Sequence, residues 1–304
     1  MGEITEHHDA SGLGHRSTNG SDDPRESRVR VAPGVMLRVL RRPGAEPGFL
    51  LVHGLASNAH LWDDVAEHLS VVGHTVAAVD LRGHGGSSKP DTGYDFATIV
   101  EDLRCLVATL ALERPVLVGQ SWGANVVLET AIRHPELVRG IVLVDGGTDD
   151  LADRFPDWQT CRQQLAPPRL IGTPAVEIER YLHSAHPDWP ESGIRATLAN
   201  FEVRADGTVA PWLTEARHLA ILRALWEQRP SRLLSALQVP ALVVPVDTGQ
   251  PAWTAAKREA LLAAEAASPR SRVVWFTGDH DLHAQHPAAL AALLLDAAAD
   301  GFFG

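Results

Sequence analysis

The stretch PVLVGQSWGANVVLETAIRH, residues 115–134, decides the fold. Val116, Leu117 and Val118 form a short apolar, β-branched run of the kind found in strands buried on both faces. Ala124, Val127, Leu128 and Ala131 then recur on one stripe of a helix. Between them lies Gly119-Gln120-Ser121-Trp122-Gly123, a G-x-S-x-G pattern in the strand–turn–helix context that gives it meaning. Such a turn is so tight that the serine takes a strained backbone, and side chains two residues before and after it would collide. Ser121 is therefore read as a nucleophile whose hydroxyl stands at a helix N-terminus, where the partial positive charge favours the negative charge that develops on reaction.

The same alternation extends outward. RVRVA at 28–32 and VMLRVLRR at 35–42 read as a hairpin around Pro33-Gly34. FLLV (49–52), TVAAVD (75–80) and GIVLVD (140–145) read as further buried strands. Asp95 is a natural N-cap for a helix with Phe96, Ile99, Leu103, Val107 and Leu110 on one stripe. Downstream come PALVVPV (240–246), a helix from about Trp253 to Ala267, RVVWF (272–276) and a last helix from Pro287, well placed at its first turn. Strands alternating with helices predict an α/β fold with a mostly parallel eight-stranded sheet and helices on both faces.

The rhythm breaks over 147–237, which shows no clear strand. Trp158, Trp189, Trp212 and Trp226 lie there among Pro-punctuated helical segments. The stretch is too long for a loop and reads as a helical cap inserted between the sixth and seventh strands, dividing a core of 28–146 and 238–304. Residues 1–27 hold hardly any large apolar side chain and read as a disordered tail in which His7 and His8 are solvated.

Composition excludes several functions. The formal net charge of −11 argues against nucleic acid as a partner. Two cysteines, Cys105 and Cys161, make neither a disulfide framework nor a Cys-based zinc site. No run of 18 apolar residues is present and the N-terminus is polar, so neither a membrane span nor a signal peptide is expected, and the cytoplasm is the expected location.

Two further loops complete the chemistry. Leu51-Val52-His53-Gly54-Leu55 ends a strand beside the elbow and would lend an amide to an oxyanion hole, the donors being Leu55 and Trp122. His53 itself is read as structural. Asp80-Leu81-Arg82-Gly83-His84-Gly85-Gly86-Ser87 is glycine-punctuated but lacks the phosphate-loop and dinucleotide patterns, so nucleotide binding is rejected. His280, just past the last strand, can take and return the serine proton. His283 and His286 follow at three-residue intervals, but they begin or precede the last helix, so no metal is expected.

HGLASNAHLW, DLRGHGGSSKP, GQSWGA and GDHDLHAQHP, in this order and spacing, resemble the α/β-hydrolase fold family over roughly 28–145 and 238–298. The resemblance implies the chain order Ser, acid, His. Its usual acid position, after the strand at 240–246, falls here on Gly249 or Gln250, with Asp247 about two residues early. A minority of the family places the carboxylate at the end of the strand after the nucleophile helix, where Asp145 stands. Asp145 is the favoured acid and Asp247 the alternative; either would hold the imidazole tautomer.

Relatives resembling epoxide hydrolases and haloalkane dehalogenases need an aspartate where Ser121 stands, and epoxide opening wants two cap tyrosines. The only tyrosines are Tyr94 and Tyr181. Acyl chemistry without a cofactor remains. The expected substrate is an apolar small-molecule ester, lactone or diketone. Carboxylic ester or lactone hydrolysis leads, with C–C bond hydrolysis or a cofactor-free haloperoxidase or perhydrolase activity as alternatives. A non-catalytic ligand binder on the same fold is the reading from another class.

Overall fold

The structure is a computed structural model and describes residues 4–6, 24–251, 254, 255, 257–259, 261, 262 and 270–304. Its main sheet takes β1 (Ile4–Glu6), β2 (Arg25–Ala32), β3 (Val35–Arg42), β4 (Ala45–Val52), β5 (His74–Val79), β6 (Val116–Gln120) and β7 (Gly140–Val144). After a small hairpin of β8 (Phe201–Val203) and β9 (Val209–Pro211), it adds β10 (Ala241–Val244) and β12 (Ser271–Val273). The spatial order is β1-β2-β3-β5-β4-β6-β7-β10-β12. Pairing is antiparallel from β1 to β5 and parallel from β5 to β12.

Alternate residues of the central strands feed two separate cores, as the two-residue period of a strand requires. Leu50 and Val52 of β4 join one core with Leu117 of β6 and the helices Phe96–Thr109 and Trp122–Arg133. Phe49 and Leu51 face the other, with Val118 and the helices Asp63–Val71 and Pro287–Ala299. Asp95 caps the helix Phe96–Thr109 by accepting from the amide of Thr98.

Several expectations need correction. The described part of the sheet has nine strands rather than eight, because Ile4–Glu6 adds to the free edge of β2. That strand lies in the stretch read as a disordered tail, and β2 begins inside it at Arg25. The rest of the tail reading (1–3 and 7–23) lies outside the described residues, as does part of the helix expected over 253–267. The stretch 147–237 holds six helices but also the β8–β9 hairpin. Each of its strands has three residues, too few to display a period. The strand expected over 240–246 stops at Val244. Pro245 carries no amide, and the ladder resumes as β11 (Val246–Asp247) against β13 (Phe276–Thr277).

Candidate active site

The elbow forms as its sequence requires. Ser121 has φ 53° and ψ −122°, a left-handed conformation costly for any residue with a Cβ. Its amide donates to the carbonyl of Val144 on β7 (2.8 Å), and the Ala124 amide closes the turn on Ser121 O (2.9 Å). A Cβ added at Gly119 would collide with the Gly123 carbonyl, and one at Gly123 with the Val52 carbonyl, so both glycines are required by close backbone approach.

β7 sits beside β6 and ends on Asp145, also at positive φ (46°). This turn brings the carboxylate onto the Val246 amide and leaves the side chain 1% exposed. Asp145 Oδ2 lies 2.6 Å from His280 Nδ1. Oδ1 accepts from the Val246 amide (2.9 Å) and from Lys257 Nζ (2.6 Å). Burial pushes the Asp145 pKa up, but the bonds and charges of His280 and Lys257 prevail and hold it below the ordinary carboxylate value. His280 is half open to the cavity, and the protein crowding round its ring works to lower its pKa. The Asp145 bond and the charges of Asp281 and Asp145 work the other way and leave it raised.

Of the two candidate acids, the structure brings Asp145 to the histidine and leaves Asp247 apart. Asp247 Oδ1 accepts instead from the Gly249 amide (3.0 Å) and from Thr254 Oγ1 (2.8 Å), closing its own turn.

Leu55 lines a hollow together with Ser121, Trp122 follows Ser121 in the chain, and neither amide is paired among the described residues. The Leu55 loop is braced by two histidines. Leu81 N donates to His53 Nε2 (3.0 Å), so His53 Nδ1–H meets the Gly54 carbonyl (2.7 Å). Ala56 N donates to His84 Nε2 (3.2 Å), and His84 Nδ1–H meets the Arg82 carbonyl (3.0 Å). Burial lowers both pKa values, keeping the rings neutral as this bonding requires. Asp80 ties the surrounding loops together, accepting from Arg38 Nε (2.6 Å), Ala59 N (2.8 Å) and Gly86 N (2.7 Å).

Sequence reasoning missed four contributors. Lys257, His84 and Gln120 are three; Gln120 Nε2 holds the His280 carbonyl (3.0 Å). The fourth is Asp279, next to His280, whose carboxylate accepts from Trp189 Nε1 (2.7 Å) and lies 2.9 Å from His186 Nδ1. Only the DLRGHGG loop gave a local signal, through His84; the other contacts join residues far apart in the chain. His283 does not gather with His280. It is fully buried against Trp62, ring centroids 4.4 Å apart, with both nitrogens unpartnered among the described residues.

Two hollows meet at Ser121 and His280. One of about 400 Å³ includes Asp145, Asn125, Arg154 and Lys257. The other, about 130 Å³, runs past Leu55 to Thr197 and Asn200. Through Ala56, Ser57 and Asn200 the smaller one adjoins a mostly apolar cavity of about 500 Å³, lined by Leu170, Phe201, Trp212 and Leu213. Of the four tryptophans in the stretch 147–237, Trp212 lines one of these hollows. Trp158 and Trp226 pack on each other, ring centroids 6.1 Å apart, and Trp189 serves Asp279.

A family model described as alpha/beta hydrolase fold matches residues 47–168. The 2-(acetamidomethylene)succinate hydrolase of Mesorhizobium japonicum is 32% identical over 196 residues, 64% of this chain and 69% of that protein. A crystal structure of E-2-(acetamidomethylene)succinate hydrolase superposes with a TM-score of 0.73 at 26% identity, covering 89% of this chain and 97% of that one. A fluoroacetate dehalogenase from Burkholderia is 39% identical, but over 34% of this chain and 35% of its own length. A thioesterase domain from the curacin biosynthetic pathway shares the fold, with a TM-score of 0.70 at 24% identity over 90% of this chain and 99% of that one.

Proposed function

The chain belongs to the α/β-hydrolase fold family, and on that premise we propose that it is a serine hydrolase cleaving a carboxylic ester or lactone through an acyl-enzyme on Ser121. The observation that carries this reading is the 2.6 Å contact between His280 Nδ1 and the buried Asp145 carboxylate, on the cavity that also holds Ser121. With Nδ1 committed to Asp145, Nε2 is the basic nitrogen. Ser121 Oγ attacks the carbonyl carbon as its proton passes to Nε2. The oxyanion is received by the Leu55 and Trp122 amides, each such donor contributing about 3 kcal/mol to the transition state. Collapse expels the alkoxide, which takes the proton from His280. A water molecule, deprotonated by the same nitrogen, then attacks the acyl carbonyl and releases the acid. The apolar cavity reached through Ala56 and Ser57 fits an apolar portion of the substrate.

A fluorophosphonate probe tests the reading. Labelling of Ser121 in the wild type and its loss in Ser121→Ala support it, and an unlabelled wild type supports a ligand binder instead. A panel of short-chain esters and lactones then locates the substrate.

A second reading has one observation in its favour, the similarity to a 2-(acetamidomethylene)succinate hydrolase in sequence and in structure. An acetamide-type bond on a dicarboxylate could be cleaved by the same steps, with nitrogen as the leaving atom. Turnover of N-acyl dicarboxylates above that of all esters and lactones in the panel would favour it.

A further inference from the structure

Asp145 is in an unusual position for a working carboxylate. It is almost wholly removed from water, at the end of a strand, in a backbone conformation that side chains rarely adopt. A carboxylate desolvated in this way is costly unless both oxygens are partnered, and the Val246 amide gives Oδ1 only one hydrogen bond. A second partner reaches it from a remote helical segment. Lys257 Nζ lies 2.6 Å from Asp145 Oδ1 and 2.8 Å from the Val246 carbonyl, its side chain 15% exposed. The chain carries only two lysines against 25 arginines, so a lysine here stands out in an arginine-rich sequence. A compact ammonium can sit between one carboxylate oxygen and one carbonyl, a geometry unlike the planar fork of a guanidinium.

We propose that Lys257 is a positioning residue of the triad, its ammonium pinning Asp145 Oδ1 so that Oδ2 is turned on His280. The assignment rests on the serine-hydrolase reading for its catalytic meaning, although the charge coupling itself is independent of any substrate. The charged groups facing the His280–Asp145 pair are Lys257 and Asp281, which act in opposite directions on the imidazole. Asp247 also feels the Lys257 charge, and Arg154 and Asp149, paired with each other, complete the charged lining. Removing the lysine charge therefore favours the imidazolium, and the pH at which His280 titrates rises.

The test pairs Lys257→Met, which removes the charge at similar length, with Lys257→Arg, which keeps it. Two readouts are taken on the full chain: the His280 imidazole titration by NMR, and the pH dependence of fluorophosphonate labelling at Ser121. The expected result for Lys257→Met is a titration moved to higher pH and labelling at neutral pH slowed, by up to about tenfold for each pH unit of that move. Lys257→Arg keeps the wild-type titration even where its rate falls. An unmoved titration in Lys257→Met overturns the proposal. So does an equal upward move in Lys257→Arg, because the effect would then follow packing rather than charge. If Lys257→Met does not fold, Lys257→Gln takes its place as the charge-removing variant and is judged by the same criterion. An unlabelled wild type whose His280 titration still responds to Lys257 removes the serine-hydrolase reading and leaves the coupling standing.

Discussion

The rings of His53 and His84 lie 4.7 Å apart and grip the same loop on either side of Leu55, one at the Gly54 carbonyl and the other at the Ala56 amide. The Leu55 amide is thus aimed by two neutral imidazoles that touch no reacting atom. In His84→Phe the Ala56 amide loses its buried acceptor, which costs about 1–3 kcal/mol of stability. The expected outcome is a lower melting temperature, together with a fall in kcat larger than any change in KM, because a misdirected oxyanion donor acts on the transition state. A rise in KM at constant kcat would place the loop in substrate binding instead.

The two acid candidates separate cleanly. Asp145→Asn should lower turnover about 10⁴-fold, as loss of the correct imidazole tautomer does in other triads. Asp247→Asn should stay within about twofold, as a surface change away from the reacting groups does. Steady-state kinetics on any accepted ester decides between them, and the reverse ranking would move the acid to the loop after β10.

The pH dependence follows from the raised His280 pKa. A general base works only when neutral, so activity is present above that pKa and lost as pH falls through it. The acid limb of kcat/KM is therefore expected to have its midpoint above about 6.5, the ordinary imidazole value. A midpoint below that value would contradict the Asp145–His280 bond in the free enzyme.

His283 makes a separate prediction about stability. Its pKa is lowered to about 4 by burial, and its folded form binds fewer protons than the unfolded chain. The stability tied to its neutral form is present above about 6.5, the unfolded value, and is lost as pH falls through the folded value. His53 and His84 shift in the same direction. Replacing His283 by Met removes two unpartnered nitrogens at similar volume, which is neutral or stabilising in such sites. Thermal melts should show His283→Met at least as stable as wild type at pH 7, with a shallower decline toward pH 4.

The elbow was legible because every requirement on it is local: apolar run, two glycines, serine, helical stripe. The nearness of the Leu55 loop to the elbow was legible for the same reason, through the adjoining His-Gly. The acid was legible only as a pair of candidates, since choosing between Asp145 and Asp247 depends on which strand end lies under His280. Lys257 was invisible, because its partner is 112 residues away and a lysine in a helical pattern ordinarily reads as solvated surface. The β8–β9 hairpin and Ile4–Glu6 escaped because strands of three residues carry no periodicity. The break after Val244 could have been read from Pro245, which cannot donate to a ladder.

Ser121 and Asp145 directly follow the neighbouring strands β6 and β7, within one contiguous segment that ends before Gly147. Ser121 and Asp145, the proposed nucleophile and acid, therefore share a chassis formed before Gly147. Exchange of the residues between Gly147 and Leu237 would leave the β6–β7 register and the Val246 and Lys257 bonds to Asp145 in place, so that substrate preference could be swapped as a cassette.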